Sequence, residues 1–206
     1  MEEKDKNKVY LYGASGHAKV VMDIARQAYY EVPCLIDDNP QVNELAGLPI
    51  VHSAEGLSPI IVTIGDCEIR KKIVERLGNR EYLTVVHPNA IRAESVQLGY
   101  GTVVMAGAIM NPYVTVGNHC IINTGASLDH DVKIGDFVHI APHCTLCGEV
   151  IIGEGTWVGA GTTVIQGIHI GKNCFIGAGA VVIKDIPDNS LCYGNPAKVI
   201  RDLTSE

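Results

Sequence analysis

A histidine and an aspartate are adjacent in the chain at His130 and Asp131. An unperturbed imidazole titrates near physiological pH, so a histidine can take a proton from a nucleophile while that nucleophile forms its new bond. Such a reaction needs a base, a donor that stabilises an oxyanion, and alignment of the reactants more than it needs covalent catalysis. We therefore take His130 as the candidate general base.

A glycine-containing stretch from Gly13 to His17 separates a strand-like run from a helix-like run. Backbone N–H groups at the start of a helix can cradle a phosphate. The G-x-G-x-x-G spacing of a dinucleotide fingerprint is absent from this stretch. Asp37 and Asp38 follow the next strand-like run, where they could accept hydrogen bonds from a sugar or a uracil, or could form a solvated acidic turn.

The elements that must position these residues differ between the two halves of the chain. In the first half, strand-like segments at residues 9–12, 32–36, 60–64 and 82–86 alternate with helix-like segments at 18–30 and 68–77. This alternation is typical of a small parallel sheet of the α/β class. We expect a βαβ, half-Rossmann subdomain over residues 1–86.

In the second half, every sixth residue is aliphatic. Fifteen consecutive positions follow this rule: Leu98, Val104, Met110, Val116, Ile122, Leu128, Ile134, Ile140, Leu146, Ile152, Val158, Val164, Ile170, Ile176 and Val182. A strict short repeat is typical of a solenoid, here a triangular parallel β-helix over residues 87–206. The residue after each of these positions is often Gly, Asn or Asp, types that tolerate the left-handed backbone region, so we expect that conformation there.

Three hexads form one coil, so residues 18 apart should stack on one another. Gly148 then lies one coil above His130. A second stack faces outward and is apolar, and we expect another subunit or a ligand to cover it. A third, of small or compact residues, lies at a corner where an extended ligand could fit. The second stack comprises Ile121, His139, Trp157 and Phe175, and the third comprises Thr124, Pro142, Ala160 and Ala178.

His130 and His139 are nine residues apart, which is half a coil. In one chain they must lie on different sides of the triangle. If both serve one site, that site lies between two chains, as in a closed symmetric ring.

Cysteine spacing could suggest a metal or redox site at Cys144 and Cys147. The pair stands alone, however, and Cys144 occupies the small inward position that Cys120 and Cys174 also occupy. We expect core packing there and no metal.

The hexads are followed by Gly194-Asn195-Pro196-Ala197-Lys198, and the first half carries Gly13-Ala14-Ser15-Gly16-His17, Leu35-Ile36-Asp37-Asp38, Ile64-Gly65 and His87-Pro88. With these motifs the chain resembles the NeuD/PglD-type sugar O/N-acyltransferases, which are left-handed β-helix proteins of the hexapeptide-repeat acyltransferases. The resemblance implies a homotrimer that moves an acetyl group from acetyl-CoA to a nucleotide-activated amino sugar or to a sialic-acid hydroxyl.

The resemblance also implies residue roles. His130 would be the base, and the Gly148 N–H would hold the oxyanion. Asp131 stands where the family has a glutamate that raises the basicity of the histidine, and its shorter arm leaves contact with the imidazole open. Implied acetyl-CoA contacts are His139, Gly148, Ala160 and Ala178; implied nucleotide-sugar contacts are Ser15, Gly16, His17, Asp37, Asp38 and Gly65.

Composition limits the other classes of function. The formal net charge of −7 disfavours a nucleic-acid or anionic-membrane surface, and residues 1–8 lack the apolar core of a signal peptide. Seven cysteines without a secretory context indicate reduced thiols and a cytoplasmic protein.

We expect an acetyl-CoA-dependent N-acetyltransferase acting on a nucleotide-linked 4-amino sugar, with UDP as the favoured nucleotide, in bacterial glycan synthesis. One alternative is a sugar O-acetyltransferase of the sialic-acid type. The other is a non-catalytic scaffold that binds sugar nucleotides. A scaffold would bind without turnover, and removing His130 would change nothing.

Overall fold

The computed structural model describes residues 7–204. Residues 1–6 and 205–206, which include most of the charged start of the chain, lie outside the described residues. Neither helix in the described part is long and apolar enough to cross a bilayer.

The N-terminal region is a five-stranded sheet with one helix between its first two strands. Its elements are β1 (Tyr10–Tyr12), α1 (Gly16–Gln27), β2 (Leu35–Ile36), β3 (Glu44–Leu45), β4 (Leu48–Val51), β5 (Ile60–Val62) and α2 (Cys67–Leu77). The strand order is β3-β4-β2-β1-β5, and all pairs are parallel except the β3–β4 hairpin. The predicted βαβ subdomain is confirmed.

Helix α1 begins and ends earlier than the predicted range of 18–30. It ends because Tyr29 takes a left-handed conformation with φ of 65°. The N–H groups of Tyr29 and Tyr30 donate to the carbonyls of Arg26 and Ala25, the bonding pattern of a Schellman cap. The periodicity of apolar residues continues past this cap, so it could not mark the end.

Strands β3 and β4 were not predicted. They are two and four residues long and are joined by Ala46 and Gly47, both with positive φ (51° and 80°), as a tight hairpin turn requires. The predicted strand at 32–36 shortens to β2, because only Leu35 and Ile36 pair with β1 and β4.

The C-terminal region is a β-solenoid of short strands. These are β6 (Val85–Val86), β7 (Ile91–Arg92), β8 (Gln97–Leu98), β9 (Val103–Val104), β10 (Ile109–Met110), β11 (Thr115–Val116), β12 (Ile121–Ile122), β13 (Ser127–Leu128), β14 (Lys133–Ile134), β15 (His139–Ile140), β16 (Thr145–Leu146), β17 (Ile151–Ile152), β18 (Trp157–Val158), β19 (Thr163–Val164), β20 (His169–Ile170), β21 (Phe175–Ile176) and β22 (Val181–Val182). A hairpin of β23 (Ser190–Gly194) and β24 (Ala197–Asp202) follows.

Within the solenoid, each strand pairs in parallel with the strands three before and three after it in the chain. This pairing makes three sheets around a triangular core. Partners are 18 residues apart, as in the pairs Ile121–His139 and Ser127–Thr145. The aliphatic hexad positions point inward and form one continuous buried core together with Cys120, Cys144 and Cys174. The predicted left-handed β-helix of hexapeptide repeats and the packing role of these cysteines are confirmed.

The expected location of the left-handed residues is wrong. Positive φ recurs every six residues from Gly101 to Gly179, three positions after each aliphatic residue rather than one. The position directly after the aliphatic residue is small for another reason, which is close stacking of coils. At Gly117, for example, a β-carbon would lie 2.7 Å from the backbone nitrogen of Asp136.

The two regions pack closely on each other. Strand β6 pairs with β9 of the solenoid, while its Val85 packs in the N-terminal core, so the predicted boundary after residue 86 coincides with the end of a strand that both regions share. Where one domain ends and the other begins stays a prediction.

The outward apolar stack, which begins at Ile121 and His139, is partly covered by the chain's own N-terminal region. Ile121 and His139 are only 1% and 5% exposed, because the N-terminal region of the same chain lies over them. Cover by another subunit or a ligand was therefore the wrong expectation for these two residues. Trp157 is partly exposed and Phe175 is exposed.

Candidate active site

His130 lies at the corner that follows β13, and its ring contacts Asp131. The buried Leu128 fixes the strand, and Asp131 turns the chain with a φ of 60°. His130 Nδ1 and Asp131 Oδ2 are 2.9 Å apart, so the shorter aspartate arm does reach the imidazole. Both side chains are about half exposed and open to solvent, as the sequence predicted.

The contact fixes the state of the imidazole. A carboxylate only accepts hydrogen bonds, so Nδ1 donates its proton to Asp131 and Nε2 presents a lone pair. The hydrogen bond to Asp131, followed by the charge of Asp129, raises the pKa of His130 above its usual value. Both effects make Nε2 a stronger base.

Asp129 and Asn111 hold this corner, and the sequence did not single out either residue. Asp129 Oδ1 accepts from the backbone N–H of His130 at 2.8 Å and from Asn111 Nδ2 at 2.7 Å. Asn111 lies 18 residues before Asp129, so the column rule that placed Gly148 against His130 could have found this pair as well.

Gly148 lies in the next coil, directly against the His130 ring. A β-carbon at Gly148 would lie 2.5 Å from His130 Nε2, so a side chain there would displace the ring. The described backbone hydrogen bonds use the Gly148 carbonyl, which accepts from Gly167, and none uses its N–H. A base and a backbone donor thus lie together at one corner.

A second group of predicted residues meets at the junction of the N-terminal region with β15. His139 Nδ1 donates to the Gly65 carbonyl at 3.1 Å, and its Nε2 lies 3.1 Å from Asn123 Nδ2. The His17 ring is 6.4 Å from the His139 ring, centroid to centroid. Asn123 is a further residue that the sequence did not indicate.

Burial shapes the ionisation of this second group. Burial, with a smaller contribution from the nearby Arg70 charge, lowers the pKa of His17 and of His139 to about 4. Among the described residues, no group bonds the buried Nε2 of His17. These rings are therefore neutral at physiological pH and suited to hydrogen bonding rather than to proton transfer.

The start of α1 has the predicted form. Ser15 is the N-cap residue, its side chain makes no capping hydrogen bond, and both Ser15 and Gly16 are exposed. Gly13 precedes them with a φ of 112° and packs against Ile64, leaving no room for a β-carbon. The helix start is thus open to an anion.

Asp37 and Asp38 already have partners within the chain. Asp37 accepts from the N–H groups of Ala14 and Asn39 at 2.8 and 2.9 Å, which shapes the loop before α1. Asp38 accepts from Tyr12 and pairs with Arg76 at 2.6 Å. Asp38 is nevertheless exposed, so both the sugar-binding interpretation and the solvated acidic turn stay predictions.

The acetyl-CoA residues expected at the corner column are exposed. Ala160 and Ala178 follow β18 and β21, and the Ala160 carbonyl accepts from Gly179. Within residues 7–204, no three His, Cys, Asp or Glu side chains are grouped so that they could hold a metal.

One chain does not bring the two groups together. His130 follows β13 in the six-stranded sheet, whereas His139 lies on β15 in the eight-stranded sheet. They occupy different sides of the solenoid, as their nine-residue spacing predicted.

Two family models match the chain. The PglD N-terminal domain matches residues 8–77, and the bacterial transferase hexapeptide (six repeats) matches residues 113–148 and 149–184. Among curated proteins, an uncharacterised protein of Acanthamoeba polyphaga mimivirus is 36% identical over 98 residues. That match covers 45% of this chain and only 20% of the viral protein.

Solved structures match over nearly the whole chain. A variant of perosamine N-acetyltransferase from Caulobacter crescentus, in complex with CoA and GDP-perosamine, has 37% identity and a TM-score of 0.90, covering 96% of this chain and 98% of the other. The acetyltransferase domain of PglB from Neisseria gonorrhoeae, in complex with acetyl coenzyme A, has 34% identity and a TM-score of 0.86, covering 94% and 99%. WeeI from Acinetobacter baumannii has 27% identity and a TM-score of 0.87, covering 93% and 99%. With its fold, its motifs and these matches, the chain belongs to the NeuD/PglD-type family of sugar acyltransferases.

Proposed function

We propose that this protein is an acetyl-CoA-dependent N-acetyltransferase acting on a nucleotide-linked amino sugar. The observation that carries the proposal is the His130 ring, hydrogen-bonded to Asp131 through Nδ1 and lying against Gly148. The relatives described as acetyltransferases, one with CoA and GDP-perosamine and another with acetyl coenzyme A, support the same reaction class.

The reaction follows from the atoms at this corner. The sugar amine attacks the thioester carbonyl, a C–N bond forms, and the carbonyl oxygen becomes an oxyanion held by the Gly148 N–H. His130 Nε2 takes the proton that the amine loses. The C–S bond then breaks, the CoA thiolate leaves, and the imidazolium can return the proton to it.

The nucleotide sugar would bind at the N-terminal region. The open start of α1 at Ser15 and Gly16 would hold phosphate, with His17 and Gly65 beside it. Asp37 shapes this loop through the Ala14 N–H, and Asp38 lies at the end of the neighbouring strand. We keep UDP as the proposed nucleotide and a 4-amino sugar as the acceptor; GDP is the alternative because of the perosamine enzyme.

The site would be completed by a second chain. Since His130 and His139 lie on different sides of the solenoid, we propose a homotrimer in which the exposed His130 corner of one subunit lies against the side of its neighbour that carries the largely buried His139. Acetyl-CoA would lie in the cleft between them, along Ala160 and Ala178. We further propose a cytoplasmic location, where the free thiols of the seven cysteines stay reduced.

The test is thiol release from acetyl-CoA in the presence of a panel of acceptors: UDP-, GDP- and dTDP-linked 4-amino sugars, UDP-N-acetyl sugars and free sialic acid. Release with amino sugars alone is the expected result, and the most active acceptor identifies the nucleotide that the enzyme recognises. Release with sialic acid alone would instead establish an O-acetyltransferase. Sugar-nucleotide binding without any release would favour the scaffold.

A further inference from the structure

Arg70 is a buried cation whose partners are neutral. It lies in the first turns of α2 and is 1% exposed. Its guanidinium donates to the carbonyls of Ile64 and Gly65 at 2.7 and 2.9 Å, and to those of His119 and Phe137 at 2.8 and 2.7 Å. Within residues 7–204, no carboxylate is among its hydrogen-bond partners.

This arrangement connects two regions through one side chain. The loop after β5 supplies two of the carbonyls, while corners of two successive solenoid coils supply the others, one coil apart at His119 and Phe137. A guanidinium has five N–H donors in a rigid fork, so it can hold several carbonyls at once, which a lysine ammonium with three donors on a flexible stem cannot match.

The Gly65 carbonyl is shared between Arg70 and His139. It accepts from Arg70 at 2.9 Å and from His139 Nδ1 at 3.1 Å. A carbonyl cannot donate, so Nδ1 must carry the proton, and Nε2 must then accept from the Asn123 amide at 3.1 Å. The position of one carbonyl thus selects one neutral tautomer of His139.

We propose that Arg70 is a positioning residue for acetyl transfer: it fixes the Gly65 carbonyl, which holds His139 in the Nδ1–H tautomer and in one orientation. The kinetic part of this inference rests on the proposed function, because His139 acts there as a contact for acetyl-CoA. The tautomer part does not.

The experiment compares Arg70→Lys and Arg70→Gln with a control on the same helix. The control is Lys71→Ala, which removes the 2.6 Å ion pair from Lys71 to Glu154, another link between α2 and the solenoid that does not touch Gly65. Long-range ¹H–¹⁵N NMR spectra of the ligand-free protein give the His139 tautomer, with the resonance assigned by His139→Gln. Steady-state kinetics give kcat and KM.

The wild-type spectrum should show a single tautomer protonated at Nδ1. In Arg70→Lys and Arg70→Gln we expect a mixture of tautomers and a kcat lower by about 10- to 100-fold, the loss that misplacement of a bound reactant can cause. Lys71→Ala should keep the wild-type tautomer and kcat.

Two results would overturn the proposal. One is a wild-type His139 protonated at Nε2, which decides the question even if the Arg70 variants do not fold. The other is a folded Arg70→Lys protein with an unchanged tautomer and kcat. If the wild type transfers no acetyl group to any acceptor, the proposed function fails, while the tautomer comparison still tests the link from Arg70 to His139.

Discussion

His130 and Gly148 lie in adjacent coils and depend on each other sterically. The imidazole occupies the space that any side chain at residue 148 would need. The same contact keeps the Nε2 lone pair beside the Gly148 backbone. The glycine is therefore required by the base that packs against it and not by its own backbone conformation.

Gly148→Ala should lower kcat by about 100-fold, because the methyl group displaces the His130 ring from Asp131 and from the reacting atoms. The measurement is a double-mutant cycle with His130→Ala. Without the ring there is no overlap, so adding Gly148→Ala to His130→Ala should cause almost no further loss. Equal losses in both backgrounds would mean that the glycine acts independently of His130.

Asp131→Asn should shift the acidic limb of the kcat–pH profile. Activity rises with pH as His130 loses its proton, and the Asp131 carboxylate holds the pKa of His130 above its usual value. Removing that charge lowers the pKa, so the limb should move to lower pH while the plateau falls with the weaker base. Glu149→Gln is the control, since Glu149 is the smallest contributor to the shift and makes no hydrogen bond to the ring. A limb unchanged by Asp131→Asn would contradict the pairing.

Stability should fall as the pH is lowered from 6.5 towards 4. Burial lowers the pKa of His17, His119 and His139 to about 4 in the folded protein, whereas the unfolded chain binds protons with the ordinary value near 6.5. The unfolded state therefore holds more protons within this window, and each histidine should decrease the free energy of unfolding by up to about 1.4 kcal/mol per pH unit.

His119→Phe tests this prediction at one residue. His119 stacks on Phe137 in the next coil, which has the same left-handed backbone, so a phenylalanine should fit at residue 119. Denaturant unfolding at pH 7 and pH 5, at a fixed protein concentration, should give a smaller loss of stability for the variant than for the wild type. An identical loss would mean that His119 is not held neutral.

A mixing experiment tests whether the site lies between chains. His130→Ala and His139→Ala should each be impaired, but trimers reassembled from an equal mixture should regain activity. About a quarter of the interfaces would then pair an intact His130 with an intact His139, given random assembly of a closed ring. No recovery beyond the sum of the separate variants would mean that His130 and His139 do not serve one site shared between two chains.

The fold was largely predictable because its repeat is strict. Fifteen aliphatic residues in phase gave the coils, the inward face and the stacking of Gly148 on His130. The repeat misled at one point: the glycines after the aliphatic positions permit close stacking, while the left-handed turn falls two residues later. Both demands favour glycine, so residue type alone does not separate them.

The contacts between the two regions could not be predicted. The cover over Ile121 and His139 depends on how the N-terminal sheet docks on the solenoid, and no local pattern encodes that docking. Arg70 did leave a signal, because it occupies the buried face of an otherwise charged helix together with Cys67. Asn123 left none, since an asparagine at a solenoid corner is common in this chain.

The most direct test of the central claim is the rate of acetyl transfer by His130→Ala. We expect kcat for the best amino-sugar acceptor to fall by about 100- to 10,000-fold, the contribution usual for a general base, with the oligomeric state unchanged. His169→Ala, which removes another exposed solenoid histidine, is the control and should retain full activity. If His130→Ala keeps the wild-type rate, then His130 is not the base and the mechanism proposed for this corner is wrong.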